Sequence, residues 1–179
     1  FRRARFEGTL TPIGADRPTI VWPGYLGGIN WGSISIDPVK QIMFVNSTHV
    51  IMYDQLIPRK EADAEGIEPV SSKGGHVGLS FAQMGTPYAV STQPFMSLLA
   101  VPCQEPPFGL VSAVDLNTRK LLWQKPFGTS RDSGPLLLRA LLPIPLGVPN
   151  LGGSMTTASG ITFFGATQER MFRAYDPLT

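Results

Sequence analysis

The chain has 179 residues, with 19 glycines, 17 prolines, 16% charged residues and a net charge of +2. It is long enough to bury a core of its own, and its Gly and Pro content with few charges argues against a helical bundle or a disordered tail. One cysteine, Cys103, excludes an internal disulfide and a cysteine metal cluster. No run approaches the roughly 20 apolar residues of a membrane helix.

In chain order, the basic cluster Arg2, Arg3 and Arg5 reads as a solvated end. No basic stripe with interleaved aromatics follows it, so nucleic acid is not an expected partner. Residues 18–23 and 33–37 are apolar and β-rich, and Ile34–Asp37 with Ile42–Val45 reads as a hairpin closed through Asp37-Pro38-Val39-Lys40. Residues 55–86, charged and Gly-rich, read as one long surface loop with a short helical possibility at 59–65. Residues 87–102 and 107–114 return to β character, and 119–125 forms a further strand. Cys103, beside an apolar run, is expected to be a buried, inert thiol. Residues 134–153, proline-rich and apolar, suit an extended buried segment, and 160–175 supplies two last strands.

The most informative stretch is Ala113-Val114-Asp115-Leu116-Asn117-Thr118-Arg119-Lys120-Leu121-Leu122-Trp123. It reads as strand, tight turn and strand: Asp115 and Thr118 can hold the turn through side-chain bonds to backbone, and Trp123 is a large apolar anchor. Its first half returns 61 residues later as Ala174-Tyr175-Asp176-Pro177-Leu178-Thr179. A repeated strand–turn–strand unit points to a radially repeated all-β fold, a β-propeller, of which this chain would supply about three blades. Two unrelated hairpin turns that share Asp and Thr are the alternative. The chain opens on Phe1 without an initiator Met and closes at Thr179 inside a turn motif, so it is expected to be a piece of a longer protein.

Ala-x-Asp-x-x-Thr-x-Lys-x-x-Trp resembles the tryptophan-docking motif of the quinoprotein dehydrogenases, eight-bladed propellers that bind pyrroloquinoline quinone (PQQ). The usual Gly after Thr is Arg119 here, a departure that concerns turn geometry. The Gly-rich segment 23–38 resembles the segment that opens a blade in these enzymes. The strings Leu56-Ile57-Pro58-Arg59, Gly85-Thr86-Pro87-Tyr88-Ala89-Val90 and Leu99-Ala100-Val101-Pro102-Cys103, with Leu151-Gly152-Gly153, are similar to the membrane-bound glucose/quinate/shikimate branch. The resemblance runs in one order over nearly all of residues 1–179, making the whole chain one part of a PQQ-binding propeller domain, with 55–86 as a loop within it.

The resemblance implies a dehydrogenase that oxidises a polyol or sugar, of glucose or quinate/shikimate type, and passes electrons to ubiquinone. It would be periplasmic, anchored in the bacterial inner membrane through segments not in this chain. It also implies a Ca²⁺ or Mg²⁺ ion beside PQQ, whose ligands, with the catalytic base and a lysine near the quinone, lie N-terminal to the matched region, so no catalytic or metal residue is assigned here. Cofactor contacts are carried over to Asn46, Leu151, Gly152 and Glu169. A carboxamide at Asn46 offers a donor and an acceptor to an anionic quinone without adding charge; a turn Asn is the alternative. Gly152 with Gly153 would let backbone approach a flat ligand, or form an ordinary turn. Glu169 stands where the glucose branch carries Asp, and a surface ion pair with Arg170 is its alternative. Trp123 is expected to pack between blades, as is Trp31, for which a place facing the central funnel is the alternative. His49 and His76, without partners at metal spacing, are expected to have no site role. A propeller used only for protein binding is the competing function.

Overall fold

The computed structural model describes residues 2–69, 79–132, 144–165 and 168–177. The described residues are all-β: they form three antiparallel sheets, one six-residue helix and one 3₁₀ turn. Two compact units share these elements, residues 1–24 with 51–95, and residues 25–50 with 96–179.

The first unit holds a sheet of order β1 (Thr19–Val21), β4 (Met52–Pro58), β6 (Tyr88–Pro94), β5 (Ser80–Ala82). The span 55–86 is therefore not one loop. Residues 55–58 complete β4, 59–64 form the helix α1 (Arg59–Ala64), and 80–82 pair with β6. The helix follows Pro58 and buries Ala62 against Ile67 and Ala89, with Ile57 and Ala82 packed around them. Charges dominated the sequence signal because α1 puts Lys60, Glu61 and Asp63 on its outer face. Lys73 and His76 lie outside the described residues.

In the second unit, β2 (Ile34–Asp37) and β3 (Ile42–Thr48) form the expected hairpin. Asp37 Oδ1 accepts the N–H groups of Val39 and Lys40 at 2.9 and 3.0 Å, and Gln41 takes a left-handed φ of 56° to close the turn. β3 then pairs along its whole length with β7 (Gly109–Asp115), from Ile42↔Asp115 to Thr48↔Gly109. Sixty residues of chain lie between those two partners, Thr48 and Gly109. The sheet ends with β8 (Lys120–Pro126), in order β2-β3-β7-β8. Beside it stands a three-stranded sheet of β9 (Ser154–Thr156), β10 (Thr162–Phe164) and β11 (Arg173–Tyr175).

These two sheets meet along two lines. Ser35 Oγ on β2 bonds Ser154 Oγ at 2.7 Å and accepts from Thr156 Oγ1 at 2.9 Å, both on β9. At the other end the docking turn has the form its sequence predicts. Asp115 Oδ1 accepts from the N–H groups of Asn117 and Thr118, and Oδ2 from the Thr118 hydroxyl. Arg119, in the place of Gly, adopts a φ of 59°. Trp123 is half-buried rather than enclosed. Its ring stacks on Tyr175 (centroids 5.9 Å apart), and its indole N–H donates to the Pro177 carbonyl at 3.0 Å. The first copy of the repeat is thereby pinned to the second. Phe44, Phe127 and Phe164, all fully buried, with Val111 and Ala113 complete this core. Two further expectations are corrected: Cys103 is exposed, on a loop outside the strands, and Trp31 is 77% exposed rather than packed.

Candidate functional site

Along β3, Phe44, Asn46 and Thr48 point to one face. The apolar run therefore ends in two buried polar residues, Asn46 at 5% and Thr48 at 1% exposure. Both face the backbone of Asn150. Asn46 Nδ2 donates to the Asn150 carbonyl at 2.7 Å, Thr48 Oγ1 donates to it at 3.5 Å, and Thr48 Oγ1 accepts the Asn150 N–H at 3.4 Å. Asn46 Oδ1 accepts no hydrogen bond among the described residues. Thr48 also exchanges two backbone bonds with Gly28, tying the Gly-rich segment to the strand end.

Asn150, itself buried, closes an Asx turn: its Oδ1 accepts the Gly152 N–H at 3.2 Å and its Nδ2 donates to the Gly152 carbonyl at 3.5 Å. Gly152 and Gly153 then meet Gly32, where a Cβ would lie 2.5 Å from Gly152 C and Gly153 N. The glycines thus allow two backbones to touch, and the Gly152 N–H is already engaged. Leu151, half-buried, sits between Asn150 and this contact, and Trp31 presents its indole to solvent one residue from Gly32. The cluster is neutral throughout.

Glu169 belongs to a second cluster. It is 1% exposed, and Arg173, not Arg170, is its partner. One carboxylate oxygen accepts from the Thr129 N–H (2.7 Å) and the Thr129 hydroxyl, the other from the Arg173 guanidinium. Burial pushes the carboxyl up, but the bonds from Thr129 and Arg173 and the Arg173 charge outweigh it, leaving Glu169 below the ordinary range. Arg173 also lies over the Phe127 ring at 5.7 Å. Arg170 is exposed, and its N–H donates to Asp132 Oδ2. The clusters are joined by residues 146–152, whose Gly147 and Val148 N–H groups bond the Gly128 and Phe127 carbonyls.

Sequence reasoning missed Thr48, Asn150, Thr129 and Arg173. The signal that could have found Asn150 was an Asn two residues before a Gly, an Asx-turn pattern masked by the surrounding prolines. His49 bonds Ser47 Oγ through Nε2 at 3.1 Å. Among the described residues no three His, Cys, Asp or Glu side chains are grouped to hold a metal ion, and no helix is long and apolar enough to cross a membrane. An open groove of about 490 Å³ in the first unit, lined by Leu56, Phe81, Tyr88, Ala89 and Val90 among others, has no charged side chain among its described lining residues.

Comparisons with known proteins give the family of the chain. The family model described as the glucose/ethanol/alcohol dehydrogenase β-propeller domain of PQQ proteins matches residues 1–179. A probable quinate dehydrogenase (quinone) of Xanthomonas campestris pv. juglandis is 44% identical over 100% of this chain and 22% of its own length. The quinate/shikimate dehydrogenase (quinone) of Acinetobacter baylyi is 42% identical over 98% and 22%. A glycerol dehydrogenase large subunit of Gluconobacter oxydans is 41% identical over 100% and 25%. The chain thus spans about a quarter or less of these relatives. Its cofactor class follows from the family, and Asn46, a buried neutral carboxamide with an unengaged acceptor, fits a polar quinone. Glu169, an anion with both oxygens engaged, offers no comparable free group. The chain belongs to the β-propeller domain family of the PQQ-dependent quinoprotein dehydrogenases.

Proposed function

We propose that this chain supplies part of the PQQ cradle of a dehydrogenase that oxidises a ring hydroxyl of a cyclic polyol, of quinate or shikimate type. The observation that carries this reading is Asn46, held at a buried strand end with its Oδ1 unengaged among the described residues, in a chain that matches the family over every residue. PQQ, when bound, supplies the two-electron acceptor. Asn46 would bond it, Leu151 would pack against its ring system, and the Gly152 and Glu169 clusters would hold the cradle from behind. Glu169 acts there through Thr129 and the 146–152 segment.

The rest of the reading concerns the whole protein: a periplasmic location, an inner-membrane anchor, ubiquinone as electron acceptor and a Ca²⁺ or Mg²⁺ ion. The two quinate-type relatives support the substrate class, and the glycerol enzyme at 41% identity makes an acyclic polyol the arm to compare. The test is dye-linked oxidation by the complete protein reconstituted with PQQ, on quinate, shikimate, glucose and glycerol. Turnover on the cyclic acids above glycerol supports the reading. No turnover on any of the four, with PQQ unbound, makes the propeller a binding scaffold. The 179 residues alone should not oxidise any of them, since the resemblance carries the base and ion ligands elsewhere.

A further inference from the structure

We propose that Asn150 is the positioning residue of this cradle: it fixes which end of the Asn46 carboxamide faces the cofactor. The inference rests on the reading that Asn46 touches PQQ. A carboxamide can be turned end for end with little change in shape, so its orientation is set by its partners. The Asn150 carbonyl can only accept, so it must face the Asn46 amino group, as it does at 2.7 Å. Oδ1 and the second N–H are then left for a ligand.

The carbonyl is itself held in place by three bonds. The Asn150 side chain accepts from the Gly152 N–H, its backbone N–H meets Thr48 Oγ1, and Thr48 Oγ1 reaches the carbonyl. Thr48 stands two residues beyond Asn46 on the same face of β3, so strand and turn brace one another. The Asn150 carbonyl and both of its side-chain polar atoms are already engaged, so its part is to position Asn46. Without its side chain the Gly152 N–H loses its acceptor, the turn is free to open, and the carbonyl that orients Asn46 moves with it.

The experiment titrates PQQ into the complete apoprotein, followed by quenching of tryptophan fluorescence, with the thermal midpoint of each apo form recorded alongside. Asn150→Ala should bind PQQ about tenfold more weakly or worse, as expected for a misplaced hydrogen bond. Asn150→Ser, whose hydroxyl holds the turn less firmly, should fall between Ala and parent, about threefold weaker. Should Asn150→Ala not fold, the Ser variant decides: weaker binding at an unchanged midpoint supports the inference, and parental affinity overturns it. Asn46→Ala separates the two claims. If it binds weakly while Asn150→Ala binds like the parent, the positioning role fails and the cofactor contact stands. If Asn46→Ala also binds like the parent, both fail.

Discussion

The two buried polar clusters of the second unit differ in one respect that decides what each can do. Around Glu169 both carboxylate oxygens are engaged by Thr129 and Arg173, so the carboxylate is committed within the fold. Around Asn46 one amide hydrogen is engaged and the acceptor is not. Burial of a polar residue is therefore no guide to a site. A carboxylate with both oxygens engaged offers a ligand no free acceptor, even though Arg173 Nη1 beside it is buried without a hydrogen-bond partner among the described residues. A neutral carboxamide with an unengaged oxygen, by contrast, is available to a ligand.

The largest effect expected from this contrast is on stability. Glu169→Ala strands the Arg173 guanidinium beside Phe127 and should cost about 3–5 kcal/mol in denaturant unfolding. Trp123→Ala, which removes the apolar pin on Tyr175 and Pro177, belongs on a similar scale of about 3–5 kcal/mol. A loss under about 1 kcal/mol for Glu169→Ala would break the comparison, because the cluster would then not be structural. Asn46→Ala should be milder for the fold, about 1 kcal/mol, yet cut PQQ affinity or turnover of the complete protein about ten- to a hundredfold. Asn46→Asp, which cannot donate to the Asn150 carbonyl, should be at least as harmful to binding.

Acid sharpens the contrast between carboxylates of the two units. Glu169 has a depressed folded pKa, so its stabilisation is complete above the unfolded value of 4.5 and is lost as pH falls through the folded one. Asp54 has the opposite sign. Burial raises its pKa, only partly offset by the bonds from Thr92 Oγ1 (2.5 Å) and the Gln93 backbone. Its ionisation therefore penalises the fold as pH rises from the unfolded value of 3.8 through the raised folded one, and acid removes the penalty. Unfolding measured from pH 3 to 7 should show Asp54→Asn gaining stability relative to the parent toward neutral pH, and Glu169→Gln losing it. Parallel profiles for the two variants would contradict these assignments. The smallest effect concerns Arg119, whose left-handed φ is one Gly adopts without strain: Arg119→Gly should stabilise by about 0.5–1 kcal/mol in thermal unfolding.

What could be read from sequence was local. Asp115, Asn117 and Thr118 form their turn from bonds spanning three residues, so the motif carries its own geometry, and the hairpin at Asp37 is legible for the same reason. The pairing of β3 with β7 is not local. Its register is set across sixty intervening residues, and no pattern within either strand announces its partner. The span 55–86 hid two strand segments because both are defined by pairing with β6, which begins beyond the span at Tyr88. Asn46 could be named from resemblance, but its orientation depends on Asn150, 104 residues away.

The most direct measurement is a crystal structure of the complete protein with PQQ bound. The account predicts Asn46 Oδ1 or its second N–H about 3 Å from a polar atom of the cofactor, Asn46 Nδ2 still on the Asn150 carbonyl, and Glu169 still on Thr129 and Arg173. PQQ bonded to Glu169 instead, with Asn46 touching only Asn150, would contradict it.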